Sequence, residues 1–306
     1  MGALVYSWAI TISRTCPVAR CLREVIRGIA AFSAYLSFGV FSPLYGGLAA
    51  GDAEGAGSPW HLASRGMVEE AHAAFSGMAG TGVAERESRF GLAITLLNLQ
   101  PKTNRNIEKA YAVLGDLLEE DSSDRFGIAS RYFLGRIDQI HRVVPDEKAA
   151  RRHFLDLIEH HVEHPYAQLA IVKLGILDVY DPENKNIASV IADTEAHTGL
   201  LVDRIAKRDF HILLAKAIER FELPKRKSLD HLLAAQVADP AIARLDPGFT
   251  LHVADLAREL GEHGRAVRHY REFLRNFRQD SRRYQVEQTL ASLVVSIDTN
   301  EFSATE

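Results

Sequence analysis

One short pattern recurs along the chain: an alanine, a bulky apolar residue four positions later, and a second apolar residue three positions after that. It occurs in AHAAFSGM (71–78), AYAVLGDL (110–117), ARRHFLDL (150–157) and AVRHYREF (266–273). The first three alanines are 39 and 40 residues apart, and the fourth follows after 116 residues, close to three more intervals. Self-similarity at such a period is typical of solenoid proteins. The pattern therefore predicts six positions for one repeated unit.

Each unit is predicted to be a helical hairpin. The spacing of four and three places the apolar residues on one side of a helix, and the alanine lets a second helix pack closely. Suitable first helices precede three of the alanines, at 85–98, 124–141 and 247–261. In the last of them, Asp246 and Pro247 favour a helix start and Gly261 favours its end.

A single hairpin of this kind cannot bury its apolar stripe, so neighbouring hairpins must stack. The sequence predicts an all-α fold, a right-handed α-solenoid of about six helix-turn-helix repeats with a C-terminal capping helix. The capping helix is predicted in SRRYQVEQTLASLVVSI, residues 281–297.

The two middle positions, near residues 189 and 227, lack the alanine pattern, although 200–221 has the spacing of an amphipathic helix. They are interpreted as degenerate or rearranged repeats. The predicted order is a leader or anchor 1–50, a flexible linker 51–62, repeats 63–182, degenerate helical repeats 183–246, a C-terminal repeat with its capping helix 247–297, and a polar tail 298–306.

The 247–277 unit resembles a tetratricopeptide repeat. The small residues, the turn and the aromatic residue of that family match Ala254, Ala257, Gly261, Ala266 and Tyr270. The 124–165 unit is similar, and its matching positions are Gly135, Ala150, Phe154 and Pro165. The units here are about 40 residues long, against about 34 in the family. The resemblance implies a binding module rather than an enzyme, without specifying the partner.

The first fifty residues resemble an export signal. Four arginines precede an uncharged stretch, 28–50, whose most apolar part is Gly28–Phe41, and small residues follow it. This order predicts an exported protein of the bacterial periplasm or cell envelope, with a membrane anchor formed by residues 28–50 as the alternative. Both cysteines, Cys16 and Cys21, lie in this leader, so a mature chain would have no thiol for a disulfide, a metal or nucleophilic catalysis.

Composition excludes several classes of protein. The formal net charge of -4 argues against a nucleic-acid-binding protein that is basic overall. The chain contains no glycine-rich phosphate loop, no GxSxG elbow and no HExxH motif. No cofactor and no catalytic residue is predicted.

An arginine stripe near the C-terminus is the first candidate partner-binding surface. Arg268, Arg271 and Arg275 lie opposite the apolar side of the last repeat, and Arg278 and Arg282 continue the series. Guanidinium groups on one face suit phosphate, acidic polymers or an acidic protein. The alternative is a solvated helix face, partly neutralised by four nearby carboxylates, those of Glu262, Glu272, Asp280 and Glu287.

Polar residues beside the apolar side of the 124–141 helix are the second candidate. Tyr132, Arg136 and Gln139 flank that side and, on the lining of a solenoid groove, would hold an extended peptide through hydrogen bonds. An ordinary helix margin is the equally weighted alternative.

Four histidines in HFLDLIEHHVEHP form a third cluster, in which His160 and His164 have the spacing of a metal-binding pair. A solvated helix end is the favoured interpretation, and no metal ligand is predicted. The sequence as a whole predicts a non-enzymatic scaffold that binds a protein or peptide partner in the envelope. The alternatives are an accessory subunit or enzyme of cell-wall metabolism, and an anion- or metal-binding envelope protein.

Overall fold

The computed structural model describes residues 58–78 and 83–303, and these form helices joined by short connections, without a strand. The helices are α1 Pro59–Ser64, α2 Val68–Gly77, α3 Val83–Asn98, α4 Asn104–Glu120, α5 Arg125–Arg136, α6 Glu147–His161, α7 Pro165–Val179, α8 Ile187–Ala196, α9 Arg204–Arg220, α10 Lys225–Ala238, α11 Ile242–Leu245, α12 Pro247–Glu259, α13 His263–Asn276 and α14 Arg283–Ser303. A π-helical turn, Ile137–His141, follows α5, and a 3-10 turn, His197–Leu200, follows α8. The predicted all-α fold is confirmed. None of the described helices has both the length and the apolar composition needed to cross a membrane.

The predicted leader, 1–50, and residues 51–57 of the predicted linker lie outside the described residues. Two predicted boundaries differ from the structure. Because α1 begins at Pro59, residues 59–62 are helical rather than linker. Because α14 continues to Ser303, the first six residues of the predicted tail are helical as well.

The described residues fall into two compact units, which divide between Asn106 and Ile107. In the first unit, Trp60 of α1 packs edge-on against the buried Phe75 of α2, with ring centroids 4.7 Å apart. The Trp60 indole Nε1 donates a hydrogen bond of 2.7 Å to Glu87 of α3. These contacts hold α1, α2 and α3 together.

In the second unit the helices pack in chain order. α5 packs on α6, α6 on α7, α7 on α9, α9 on α10, α10 on α12, α12 on α13 and α13 on α14, while α8 lies against α7 and α9. Each helix thus buries its apolar side against near neighbours in the sequence, which is the packing of an α-solenoid. This confirms the predicted arrangement.

A helix lies at each of the six predicted positions for the second helix of a unit, namely α2, α4, α6, α8, α10 and α13. The two middle positions keep the spacing of the pattern, although isoleucine or serine replaces the alanine and Thr194 replaces one of the apolar residues. The buried or half-buried residues with this spacing are Ile187, Ile191 and Thr194 in α8, and Ser228, Leu232 and Ala235 in α10. Counted from the first residue of each pattern, the five intervals are 39, 40, 37, 41 and 38 residues.

Aspartate side chains define where several helices begin. Asp124, Asp146, Asp203 and Asp246 each accept a hydrogen bond from a backbone N–H in the first turn of α5, α6, α9 and α12. These N–H groups have no partner within the helix, so a side-chain cap stabilises the start of the helix by about 1 kcal/mol. Gly261, after α12, has φ 75, which glycine adopts without strain. The predicted start and end of this helix are confirmed.

Glycines allow close approach of helices at three places. An added Cβ would lie 2.4 Å from the Phe75 ring at Gly91, 2.6 Å from the Phe154 ring at Gly135, and 2.9 Å from the Phe210 ring at Gly175. All three phenylalanines are fully buried. Each ring therefore occupies space that a larger residue in the facing helix would need.

Candidate partner-binding groove

A groove of about 320 Å³ lies between α12 and α14 in the second unit. Its apolar lining includes Leu251 of α12 and Val286 of α14, both largely buried. The remaining lining residues are Gly248, His252, Asp255, Tyr270, Arg282, Gln285 and Thr289. Most of the lining is polar, and Leu251 and Val286, which are 8% and 5% exposed, form a small apolar floor.

Tyr270 of α13 links the groove to the core. Its hydroxyl donates a 2.5 Å hydrogen bond to Asp255 Oδ1 and accepts one of 3.1 Å from Arg258 Nε. Burial and the hydrogen bond to Asp255 raise the pKa of Tyr270 to about 12. The phenol therefore stays protonated at neutral pH and fixes the Asp255 carboxylate at the edge of the groove.

The side chain of His252, on α12, is held by a carboxylate of α9. Its Nε2 lies 2.9 Å from Glu219 Oε1 on α9, and the Ser228 hydroxyl also donates to this carboxylate. Burial raises the pKa of Glu219, but the hydrogen bonds from His252 and Ser228 outweigh it and lower the pKa overall. The carboxylate therefore remains ionised and orients the imidazole.

On the α14 side of the groove, one side-chain amide forms no hydrogen bond with the described residues. The side-chain amide of Gln285 is exposed and makes no hydrogen bond with any described residue. Arg282 is held by Asp280 through bonds of 2.9 and 2.7 Å and lies over the Phe273 ring. The groove thus offers an amide, a carboxylate and an imidazole around apolar surface, a combination suited to the backbone of an extended peptide.

The predicted trio Tyr132, Arg136 and Gln139 does not line an exposed groove. Tyr132 is 3% exposed, and its ring lies 5.3 Å from that of Tyr166 on α7. Gln139 is 7% exposed; it accepts from Arg136 at 2.5 Å and donates to the Lys173 carbonyl at 3.3 Å. Since α7 packs on this side of α5, the expectation of exposure is wrong for Tyr132 and Gln139, and Arg136 is half-buried.

The arginine stripe lies where the sequence predicts it. Arg268, Arg271 and Arg275 are exposed on α13, whereas Ala266, Tyr270 and Phe273 on its other side are buried. None of these three arginines lines the groove, whereas Arg282, the last arginine of the predicted stripe, lines it together with Tyr270 of α13.

The histidine cluster is divided between two helices. α6 ends at His161, and His164 caps the start of α7, where its Nδ1 accepts from the Tyr166 N–H at 3.2 Å. The expectation that His160 and His164 share one helix is therefore wrong. Among the described residues, no group of three or more metal-ligating side chains comes together.

Sequence reasoning did not identify His252, Asp255, Gln285 and Thr289. Their spacings, three in α12 and four in α14, place each pair on one side of its helix. That signal was visible, but the sequence does not show that these two sides face each other. The proximity of α12 and α14 supplies this information.

We expect Tyr270→Phe to lower the free energy of unfolding by about 1–2 kcal/mol, because Asp255 and Arg258 lose a charge-assisted hydrogen bond. Urea unfolding of both proteins measures the difference. Tyr284→Phe is the matched control, since Tyr284 is 73% exposed and its hydroxyl has no partner among the described residues. Equal stability of Tyr270→Phe and the wild type would contradict the bonding role of the phenol.

No family model and no curated protein sequence matches the chain. Among solved structures, the chain is similar to a thermophilic tetratricopeptide-repeat protein of Thermus thermophilus, at 13% sequence identity and a TM-score of 0.40. The match covers 69% of this chain and 99% of that chain.

Proposed function

We propose that this chain is a non-enzymatic scaffold that binds an extended segment of a partner protein in the groove between α12 and α14. The observation that carries the proposal is the combination of apolar lining at Leu251 and Val286 with the unused amide of Gln285. A peptide in the groove would pair its backbone with Gln285 and Asp255 and place apolar side chains against the lining.

The partner is proposed to be a protein of the bacterial cell envelope. Support comes from the order of basic, apolar and small residues over the first fifty positions, and from the confinement of both cysteines to them. Mass spectrometry of the N-terminal peptide from cells tests the compartment. A terminus near Gly51 supports export, and a chain that retains 28–50 in a soluble cytoplasmic fraction contradicts it.

Site-specific photocrosslinking tests the groove. A photoreactive residue replaces Gln285 in the full-length, C-terminally tagged chain, and crosslinked partners are mapped by mass spectrometry. The control places the same group at Lys185, an exposed position between α7 and α8. A partner peptide captured from Gln285 and not from Lys185 supports the proposal, and equal capture from both positions contradicts it.

A pair of variants then separates groove binding from general effects of charge. Gln285→Arg with Thr289→Arg fills the groove, and we expect at least about tenfold weaker binding of the captured peptide. Gln288→Arg with Ala291→Arg adds the same charge at exposed positions of α14 that do not line the groove. Isothermal titration of the peptide measures both. Equal losses in the two variants would mean that the groove is not the binding site.

A further inference from the structure

The arginine stripe continues past the end of α13 as one exposed face. Arg268, Arg271, Arg275 and Arg278 are all exposed and follow one another at intervals of three, four and three residues. Within α13 this spacing places the side chains on the same side of the helix. We call these four residues the arginine face.

The four carboxylates near this face contact residues other than its arginines. Glu262 pairs with Arg226 and Arg265, and Glu272 lies 3.4 Å from His269 Nδ1. Asp280 binds Arg282 at 2.7 Å, and Glu287 binds Arg283 at 3.0 Å. No residue of the arginine face makes an ion pair or hydrogen bond with any described residue. None of these four carboxylates therefore forms a direct ion pair with the arginine face.

This part of the chain is strongly basic in a protein that is acidic overall. Residues 263–283 contain seven arginines and two carboxylates, whereas the whole chain has a formal net charge of -4. A local concentration of unpaired cations produces a positive potential that attracts an anionic surface.

The arginine face lacks the apolar centre that globular protein interfaces usually have. The apolar residues Ala266, Tyr270 and Phe273 of α13 are buried inside the unit. The exposed aromatic residue nearby is Tyr284, 73% exposed, whose neighbour Arg283 donates to the Leu274 carbonyl near the end of α13. Binding energy at protein interfaces is concentrated in buried aromatic and apolar anchors. Exposed arginines with an exposed tyrosine a few residues further along the chain instead suit a membrane surface, where tyrosine lies at the level of the headgroups.

We propose that the arginine face is a membrane-contact surface that binds the headgroups of an anionic lipid bilayer. Each guanidinium forms bidentate hydrogen bonds with lipid phosphate, and Tyr284 lies in the interfacial layer beside them. Clusters of about four to eight basic residues on an amphipathic helix are typical of segments that bind anionic lipid headgroups. The inference concerns a different face from the groove and does not depend on the proposed peptide binding.

Cosedimentation with lipid vesicles tests the proposal on the full-length chain. One set of vesicles is phosphatidylcholine alone, and the other contains about 30% phosphatidylglycerol. The measured quantity is the ratio of binding to the two sets. Residues 28–41 and the four arginines that precede them are the same in every variant, so their contribution is common to all the ratios compared. We expect a ratio of at least about ten at low salt that falls as salt is added.

The quadruple variant R268Q/R271Q/R275Q/R278Q is expected to reduce this ratio by at least about threefold while leaving the melting temperature unchanged, since all four side chains are exposed and unpaired. The control K148Q/R152Q/K185Q/R244Q removes the same charge from other exposed positions and should keep most of the preference. An unchanged ratio in the first variant, or an equal loss in both, would overturn the proposal. In a competition experiment, soluble polyglutamate is added at the same total negative charge as the anionic vesicles. If it removes the protein from the vesicles, the lipid proposal is overturned and an acidic protein partner is favoured.

Discussion

Replacing Gly135 with alanine is expected to lower the free energy of unfolding by about 2–3 kcal/mol. The new Cβ would lie 2.6 Å from Cε1 and 3.0 Å from Cδ1 of Phe154. That ring is fully buried and packs near Tyr132, with centroids 6.1 Å apart, so it has no free space to move into. α5 and α6 would have to separate, which disrupts the core on both sides. Urea or thermal unfolding of the variant and the wild type measures the effect.

Gly115→Ala is the matched control. Gly115 lies inside α4, and an added Cβ there would have no heavy atom within 4 Å. Alanine is a better helix former than glycine by about 1 kcal/mol, so this variant should be slightly more stable than the wild type. If Gly135→Ala were as stable as Gly115→Ala, the close approach of α5 and α6 would not limit the residue at position 135.

Acidification from about pH 7.5 to about pH 5 is expected to destabilise the folded chain by about 2 kcal/mol for each of two histidines, the buried His211 and the half-buried His153. Burial, followed by the charges of His231 and Lys207, lowers the pKa of His211 from 6.5 to about 4. Burial, followed by Arg131 and Arg152, lowers the pKa of His153 from 6.5 to about 4. The unfolded chain binds these protons near pH 6.5, but the folded chain does not. Stability is therefore full above that pH and falls as the pH approaches 4.

The environment of His211 explains why it resists protonation. Its Nδ1 lies 3.1 Å from Nδ1 of His231 on α10, so a single proton is shared between the two nitrogens. A second proton would leave two donors facing each other in a buried site. Glu195 and Asp230 raise the pKa of His231 and Lys227 lowers it, but burial dominates and the net shift is downward.

Non-titrating substitutions separate this effect from the acid response of the carboxylates. His211→Gln with His231→Gln keeps groups able to hydrogen bond and removes the protons. We expect the loss of stability between about pH 7.5 and pH 5 to shrink by at least about 2 kcal/mol, measured by urea unfolding at each pH. His153→Gln should remove a similar amount independently. Burial raises the pKa of the Asp138 and Asp209 carboxyl groups. The folded chain therefore binds these two protons more readily than the unfolded chain does, which stabilises the fold at lower pH and opposes the effect of the histidines. A double variant with the full wild-type pH dependence would show that the pair is not responsible.

The helices and their ends could be predicted from the sequence, because they depend on interactions between residues that are close together in the chain. Apolar residues spaced by four and three fix one buried side on each helix, and Asp246, Pro247 and Gly261 fix the ends of α12 through backbone hydrogen bonding and backbone conformation. The middle repeats are harder to recognise in the sequence because Ile187 and Ser228, rather than alanine, occupy the first position of the pattern.

The candidate sites were less predictable, because exposure and pairing depend on residues far away in the sequence. Tyr132 and Gln139 have the spacing of a helix margin, but α7, more than thirty residues later, covers them. The spacing of the four arginines is visible in the sequence, but their lack of ion-pair partners is not. Glu262, for example, binds Arg226, which lies 36 residues away.

The sequence by itself determined that this chain is a series of helices with one buried side each, repeated at about 40 residues, because helix formation and amphipathic spacing are local properties. The tertiary structure alone decided which polar side chains remain available to a partner. His252 and Gln285 line one groove only because α12 and α14 come together, and the four arginines are unpaired only because neighbouring carboxylates bind other cations.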